Sequence, residues 1–235
     1  MSIKTILFDL DGTLLPMDEK LFVKTYFDLL CKRLEPLGYK SPDIVDAIWY
    51  GTEGMVKNDG SKTNEEVFWE KFPEALGKEV LEKKTLFDEF YQNEFLMVKE
   101  VCGFTQNARE VLDLAKEKGL RIICATNPIF PSIATEHRMS FAGISKDDFE
   151  YFTCYENSCF CKPNPKYYEA IMKKTGCNPK ECLMVGNDTV EDMAAAKLGM
   201  EVFLLTDCLI NKNNIDISAF PNGGFEDLKK LIKSL

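Results

Sequence analysis

The chain has 235 residues and a formal net charge of -9 at pH 7 with a pI of about 4.9, which argues against a surface for nucleic acid or anionic membrane. Hydrophobic residues make up 45% of it, enough for a sizeable core, and no apolar run reaches the roughly 18 residues that a membrane helix needs. The nine cysteines are an odd number and no signal-peptide pattern opens the chain, so we expect a reduced, cytoplasmic protein.

The first predicted element is a short buried strand that ends in two aspartates. Ile6, Leu7 and Phe8 form an apolar run, and Asp9 and Asp11 follow it. Residues two apart share a face of a strand, so the two carboxylates are expected to point the same way. They repel unless one holds a proton or a cation such as Mg²⁺ lies between them. A solvated acidic turn and the diphosphate site of a sugar-nucleotide transferase stay open as alternatives for this pair.

Residues 17 to about 98 have the pattern of helices only. Apolar residues recur there at three- and four-residue spacing, in stretches at 18–35, from 41, from 63 and over 80–98. Phe68, Trp49 and Trp69 are interpreted as core residues of this block rather than as a stacking platform. A turn-rich segment at 51–60 is the candidate for contact with the part of a substrate remote from the reacting group. Lys57 in this segment either offers a charge for that contact or is a solvated surface lysine.

After residue 102 strands and helices alternate. Strands are predicted at 120–125, 149–154, 182–185 and 202–205, and helices at 105–118, from 131, at 165–175 and at 189–198. This alternation is typical of a parallel sheet covered by helices on both faces. The predicted fold class is therefore α/β, with a core domain of residues 1–16 and 99–235 and an inserted all-helical domain of residues 17–98.

Polar residues collect at the carboxyl ends of the predicted strands, where ligands bind in such sheets. They are Asp9, Asp11, Thr126, Asn127, Asp188 and Asp192, and Lys162 lies just before the helix at 165–175. Carboxylates in excess suit a hard cation, whereas the lysine and the hydroxyl suit an anionic oxygen.

Four of these segments, taken in order, resemble the motifs of the haloacid dehalogenase (HAD) superfamily of phosphohydrolases. The matching residues are Asp9-Leu10-Asp11-Gly12-Thr13, Thr126 after an apolar strand, Lys162, and Gly186-Asn187-Asp188-Thr189-Val190-Glu191-Asp192. The resemblance covers residues 1–16 and roughly 100–207. It implies a Rossmann-like sheet, and it places the helical block in the position of the family's cap, between the first and second motifs.

The resemblance also implies a role for each motif residue. Asp9 resembles the nucleophile that forms an aspartyl-phosphate, and Asp11 resembles the general acid that later acts as a base. The implied phosphate-binding residues are Thr126, Asn127 and Lys162, and the implied Mg²⁺ ligands are Asp9, Asp11 through its carbonyl oxygen, Asp188 and Asp192. Asn187 departs from the pattern, because many members have aspartate there. Which of Asp188 and Asp192 contacts the metal directly is therefore left open, and Asp192 is expected to orient metal-bound water or Lys162.

Asp11 separates the subclasses of this superfamily, because its true dehalogenases lack the second aspartate. We therefore expect a Mg²⁺-dependent phosphohydrolase that acts on a small phosphorylated metabolite, without nucleic-acid or membrane partners, as a monomer or weak dimer. A phosphosugar mutase and a catalytically silent binding protein of the same fold are the alternatives. His137 is interpreted as a surface residue, and Cys154, Cys159 and Cys161 as reduced thiols rather than zinc ligands.

Overall fold

A computed structural model describes residues 2–235. Met1, which belongs to the core domain predicted from the sequence, lies outside the described residues. Six parallel strands form one sheet in the order β3-β2-β1-β4-β5-β6, which confirms the predicted α/β class. The strands are β1 (Thr5–Phe8), β2 (Arg121–Cys124), β3 (Tyr151–Phe152), β4 (Cys182–Gly186), β5 (Glu201–Leu205) and β6 (Asn222–Gly223). In the register of the sheet, Phe8 at the end of β1 lies between Cys124 and Val185.

Within residues 2–235, eight α-helices accompany the sheet. They are α1 (Glu19–Leu34), α2 (Ser41–Val56), α3 (Asn64–Leu76), α4 (Lys84–Gln92), α5 (Gln106–Glu117), α6 (Ser132–Phe141), α7 (Pro165–Thr175) and α8 (Phe225–Ser234). Short 3-10 helices lie at Glu35–Leu37, Lys78–Lys83, Glu94–Val101, Lys146–Asp148, Pro179–Glu181, Met193–Leu198 and Ile217–Ala219. None of the helices within residues 2–235 is both long and apolar enough to cross a membrane.

The sheet is buried on both faces, as the alternation of strand and helix predicts. Successive side chains of β1 point to opposite faces. Ile6 and Phe8 pack in one apolar cluster with α5 and α8, and Leu7 packs in another with α7. A strand with both faces covered needs apolar residues at every position, which explains why β1 is a continuous hydrophobic run.

Helices α1 to α4 form the insert between β1 and β2. Two of these helices begin at conventional caps: the Asp18 carboxylate accepts from the first turn of α1, and Thr63 and Glu66 form a capping box at α3. The insert has its own apolar cluster, which also takes in Ala134 and Tyr155 from outside it. The chain leaves and re-enters the sheet layer at adjacent points, where Gly103 N donates to Pro16 O at 2.7 Å.

Two local predictions differ from the structure, and two elements were not predicted. The predicted helix at 189–198 is a 3-10 helix that starts only at Met193, because the Asp188 carboxylate accepts from the main-chain amides of Val190 and Glu191 and fixes a turn. The predicted helix at 80–98 is divided among two 3-10 helices and α4. Strand β6 and helix α8 were not predicted.

Candidate active site

A cavity of 590 Å³ lies at the carboxyl ends of the strands. Asp9, which follows β1, and Thr126, which follows β2, both line it. Phe22 and Val23 of α1 form part of its wall on the side of the insert. The residues that the sequence places at strand ends are therefore brought together around one opening, as expected for a parallel sheet.

Lys162 is a buried cation that contacts Asp9 and Asp192, two residues of the cavity lining, and 2% of its surface is exposed. Its Nζ donates to Asp9 Oδ1 at 2.8 Å and to Asp192 Oδ1 at 2.6 Å. Burial opposes the charge on the amine, but the carboxylates of Asp192 and Asp9 hold the pKa of Lys162 well above its usual range. A fixed positive charge thus lies directly beside the Asp9 carboxylate.

Asp192 is held behind Lys162 and uses both of its oxygens. Besides the contact with Lys162, its Oδ2 accepts from Asp188 N at 2.9 Å. Burial raises the pKa of Asp192, and Lys162 acts in the opposite direction. Gly186 allows this placement, because a Cβ there would lie 2.2 Å from the Asp192 carboxyl group. The fourth motif therefore positions Lys162 through a close approach that only glycine permits.

Asp11 is paired with Arg138, a residue that the sequence reasoning missed. Arg138 lies on α6, is 1% exposed, and donates through Nη1 to Asp11 Oδ2. It also donates through Nη2 to Thr135 Oγ1 at 3.1 Å, and its guanidinium lies 4.8 Å from the centroid of the Phe130 ring. Burial raises the pKa of Asp11, with Arg138 acting against it. The other oxygen, Asp11 Oδ1, is buried without a hydrogen-bond partner.

Thr13 and Asn187 connect the first motif to the fourth. The Thr13 hydroxyl lies 3.1 Å from Asp9 Oδ2 and 3.0 Å from Asn187 Oδ1, and Asn187 Nδ2 donates to Cys208 O at 2.7 Å. Gly12 has a φ of 80°, and a Cβ there would lie 2.3 Å from Asn187 Nδ2. The amide at position 187 thus holds the loop that presents Asp9, in the place where many family members have aspartate.

The second and third motifs meet through Asn127. Its Oδ1 accepts from Lys162 N at 3.2 Å, and its Nδ2 donates to Glu191 Oε2 at 3.1 Å. Glu191 also lines the cavity, and burial raises its pKa to about 7. Thr126 is anchored by its carbonyl oxygen, which accepts from Tyr167 Oη at 2.8 Å. Neither Glu191 nor Tyr167 was singled out from the sequence.

Asp188 completes the acidic lining of the cavity. Its Oδ1 accepts from Val190 N at 2.7 Å and from Glu191 N at 2.9 Å. Residues 2–235 contain no group of three or more histidine, cysteine or carboxylate side chains arranged to hold a metal ion. Mg²⁺ needs fewer, because it is commonly held by one or two carboxylates, water and substrate phosphate. The carboxylates of Asp9 and Asp188, which line one cavity, fit this requirement.

The three cysteines near the third motif are buried or partly buried. Cys154, Cys159 and Cys161 are all free thiols, and Cys161 Sγ accepts from Asn64 Nδ2 at 3.4 Å. Burial raises the pKa of all three, to about 12 for Cys161. A raised pKa keeps a free thiol protonated at neutral pH.

Residues 3–199 match the family model of the haloacid dehalogenase-like hydrolases. The pyrophosphatase PpaX of Oceanobacillus iheyensis is 26% identical over 240 aligned residues, which span 99% of this chain and 96% of that protein. A predicted phosphoglycolate phosphatase from Haemophilus somnus 129PT has a similar structure, with a TM-score of 0.60 and 20% identity over 98% of both chains. The HAD-hydrolase YfnB of Bacillus subtilis, described as bound to magnesium, has a TM-score of 0.55 and 16% identity over 99% of both chains.

These two structural similarities lie below 25% identity and support the fold alone. The family model, in contrast, covers more than four fifths of the sequence and includes all four motifs on which the resemblance was drawn. The chain belongs to the haloacid dehalogenase-like hydrolases.

Proposed function

We propose that this protein is a Mg²⁺-dependent phosphatase that hydrolyses a small phosphorylated metabolite through an aspartyl-phosphate at Asp9. The observation that carries the proposal is the buried Lys162 shared by Asp9 and Asp192. A carboxylate attacks an anionic phosphate only if the negative charge of the two groups is partly neutralised. A buried cation beside the carboxylate supplies part of that neutralisation. Lys162 is too deeply buried to serve as an ordinary surface lysine.

The reaction takes place in two displacements. In the first, an Asp9 oxygen forms a bond to phosphorus while the bond from phosphorus to the ester oxygen breaks, and Asp11 gives its proton to the leaving alcohol. In the second, Asp11 takes a proton from water, the water oxygen bonds to phosphorus, and the bond to Asp9 breaks. Asp11 Oδ1 is the atom we assign to this proton, because Oδ2 accepts from Arg138. Thr126, Asn127 and Lys162 bind the phosphoryl group.

Asp9, the main-chain oxygen of Asp11 and Asp188 are the residues that would hold Mg²⁺. The ion, when bound, supplies positive charge against the phosphoryl oxygens. Asp192 is assigned a positioning role, since both of its oxygens are engaged by Lys162 and Asp188 N.

The insert is proposed to act as a cap over this site. In this proposal the insert (residues 17–98) is a domain separate from the core (residues 1–16 and 99–235). Helix α1 of the insert contributes Phe22 and Val23 to the cavity wall, so the insert is placed to cover the site. Closure of a cap excludes water and commits the substrate. The protein is further proposed to work in the cytoplasm as a monomer or weak dimer, on a metabolite rather than on nucleic acid or a membrane.

Hydrolysis of p-nitrophenyl phosphate with Mg²⁺, before and after addition of a chelator, tests the proposal. We expect phosphate release that stops on chelation and returns when Mg²⁺ is restored. Activity that persists without metal would contradict the assignment of Asp9 and Asp188 as ligands. The two alternatives give different results: a mutase would return the phosphoryl group to a sugar phosphate, and a silent binding protein would release no phosphate.

A further inference from the structure

A second, smaller cavity lies beside the catalytic one and is lined mainly by aromatic side chains. Its volume is 70 Å³, against 590 Å³ for the catalytic cavity. The aromatic residues that line it are Tyr26, Phe27, Trp49, Phe68, Trp69, Phe87, Tyr91, Phe130 and Tyr155. We call it the aromatic cavity. It lies between helices of the insert and the segment that follows Thr126.

The two cavities share part of their walls. Val23 of α1 and the neighbouring residues Ile129 and Phe130 line both. Phe130 lies three residues beyond Asn127 and carries the guanidinium of Arg138 on its ring face. The aromatic cavity is therefore adjacent to the space that the alcohol portion of a phosphate ester would occupy when its phosphate is bound at Asp9.

The polarity of the aromatic cavity restricts what it can hold. No lysine or arginine is among its lining residues, and Asp88 is its one charged residue. The hydroxyls of Tyr26 and Tyr91 lie 2.9 Å apart and share one hydrogen bond, and the Thr52 hydroxyl donates to Ile48 O at 2.8 Å. Trp69 Nε1 is buried without a hydrogen-bond partner, so the lining offers neutral donors but no cation. Burying a second phosphate or a carboxylate there without a compensating positive charge is costly.

The cavity also opens to solvent rather than being sealed in the core of the insert. Trp49, which the sequence predicts to be a core residue, is 50% exposed, and its ring packs against Phe27 at a centroid distance of 5.6 Å. Trp49 thus leaves this apolar opening accessible to solvent, and ligand sites are typically concave, mostly apolar and largely pre-formed.

We infer that the aromatic cavity binds an apolar substituent on the alcohol portion of the substrate. The substrate is then a phosphate monoester whose alcohol carries a short hydrocarbon group rather than a second anionic group. A volume of 70 Å³ is a little over twice the ~30 Å³ that a water molecule occupies in the liquid, so it accommodates roughly two or three carbon atoms. This inference rests on the proposed function, because it takes the occupant to be part of a phosphoester.

Of the segment at 51–60, which the sequence suggested for substrate contact, Thr52 lines the aromatic cavity and Lys57 does not. Lys57 pairs with Glu53 and lines a separate surface groove with Asn58 and Asp59. That groove and the aromatic cavity have no lining residue in common within the described chain. The inference therefore places specificity at Thr52, Trp49 and the wall shared with the catalytic cavity.

Binding of n-alkylphosphonates from ethyl to octyl, measured by calorimetry in the presence of Mg²⁺, tests the inference. Phosphonates carry no cleavable ester oxygen, so their affinities report on the cavity whether or not the protein turns over. Each buried methylene contributes about 0.8 kcal/mol, which is about fourfold in Kd. We expect Kd to fall about fourfold per methylene over two or three successive members and then to level. Equal affinities along the series, or no binding by any member, would overturn the inference.

Two variants distinguish binding in the aromatic cavity from nonspecific hydrophobic binding elsewhere on the protein. Thr52→Leu fills it and should remove the fourfold steps, whereas Trp49→Ala enlarges it and should move the levelling point to longer chains. Thr85→Leu is the matched control, because Thr85 is an exposed residue of α4 that lines neither cavity. Thermal unfolding shows whether each variant folds. Steps that survive unchanged in both cavity variants would contradict the site.

Failure of the inference and failure of the proposed function give different results. Hydrolysis of p-nitrophenyl phosphate together with a flat phosphonate series refutes the aromatic cavity alone. A stepped phosphonate series without any hydrolysis supports the cavity and refutes the phosphatase.

Discussion

Arg138 and Asp11 are 127 residues apart in the chain and form an ion pair at the edge of the catalytic cavity. The guanidinium is 1% exposed, so it has no access to bulk water as an alternative partner. Removing one partner of a buried pair leaves the other charge uncompensated, which is typically worth about 3–5 kcal/mol. The pair therefore connects the stability of helix α6 to the placement of the carboxylate assigned to proton transfer.

Replacing Arg138 should separate its contribution to the stability of the fold from its contribution to the placement of the Asp11 carboxylate. We expect Arg138→Met to lower the free energy of unfolding by about 3 kcal/mol and to slow turnover of alkyl phosphates more than of aryl phosphates, because Asp11 loses the contact that fixes Oδ2. Arg138→Lys keeps the charge and should recover part of both. Urea unfolding and steady-state kinetics on the two ester types measure the effects. Equal slowing of both ester types would show that Arg138 is structural only.

Asp9→Asn tests the nucleophile. An amide of the same shape cannot form an aspartyl-phosphate, so we expect loss of turnover to below the detection limit with the fold intact. Lys162 and Thr13 retain hydrogen-bonding atoms at position 9, so the thermal midpoint should move by only a few degrees. Wild-type activity in this variant would remove Asp9 from its role. Trapping of phosphorylated Asp9 by mass spectrometry in the wild-type protein is the positive counterpart.

Asp11→Asn tests the general acid. General acid catalysis contributes typically about 100- to 10,000-fold, and an ester with a good leaving group needs little of it. We therefore expect a large loss in kcat/KM for alkyl phosphates and a small loss for p-nitrophenyl phosphate. If both substrates lose activity equally, Asp11 contributes only through its main-chain oxygen and the placement of the metal.

The site residues that were predicted from the sequence share one property. Each lies close in sequence to the end of a strand or to a loop residue such as proline or glycine. Asp9 follows β1 directly, and Thr126 lies two residues after β2. Arg138 was missed because its partner is distant in sequence. The detectable signal was a charged residue on the buried face of α6, where Ala134 and Phe141 occupy the positions one turn away on either side.

Secondary structure was predicted well where proline, glycine or a capping residue marked the end of a helix, and poorly where a side chain held a turn in place of the first turn of a predicted helix. Helix α7 has the predicted bounds, because Pro165 and Gly176 mark its two ends. The helix predicted to begin at residue 189 does not form there, because the Asp188 carboxylate accepts hydrogen bonds from the main-chain amides of Val190 and Glu191 and fixes a turn. Strand β6 contains only Asn222 and Gly223, and its backbone pairing with β5 has no apolar signal in the sequence.

Acid titration should reveal the ion pairs of Asp148. Burial opposes its ionisation, but hydrogen bonds from Arg109 and Lys116 hold the pKa of Asp148 well below its usual value of 3.8. A carboxyl group with a lower pKa in the folded chain stabilises the fold at every pH above 3.8, and this stability is lost as the pH falls below that value.

We therefore expect Asp148→Asn to lower the free energy of unfolding by about 1–2 kcal/mol at pH 7 and by progressively less as the pH is lowered from 4 towards 2.5. Asp113→Asn is the matched control. Asp113 is about half exposed and contacts the same Arg109 at 3.2 Å, so its replacement should cost less than ~1 kcal/mol. Urea unfolding over this pH range gives both values, and a pH-independent effect of Asp148→Asn would contradict the pKa argument.

The last prediction concerns Lys162, which lies between two carboxylates in the interior. Lys162→Met removes the cation but leaves Asp9 and Asp192 buried close to each other, so we expect a loss of about 3–5 kcal/mol in the free energy of unfolding. The double variant Lys162→Met/Asp192→Asn removes one of the two uncompensated charges and should recover part of that loss. Neither variant should recover turnover, because the amine beside Asp9 is missing in both. Denaturant unfolding and phosphate release separate the two effects. If the double variant were no more stable than Lys162→Met, Asp192 would not be held in the fold by its pairing with Lys162.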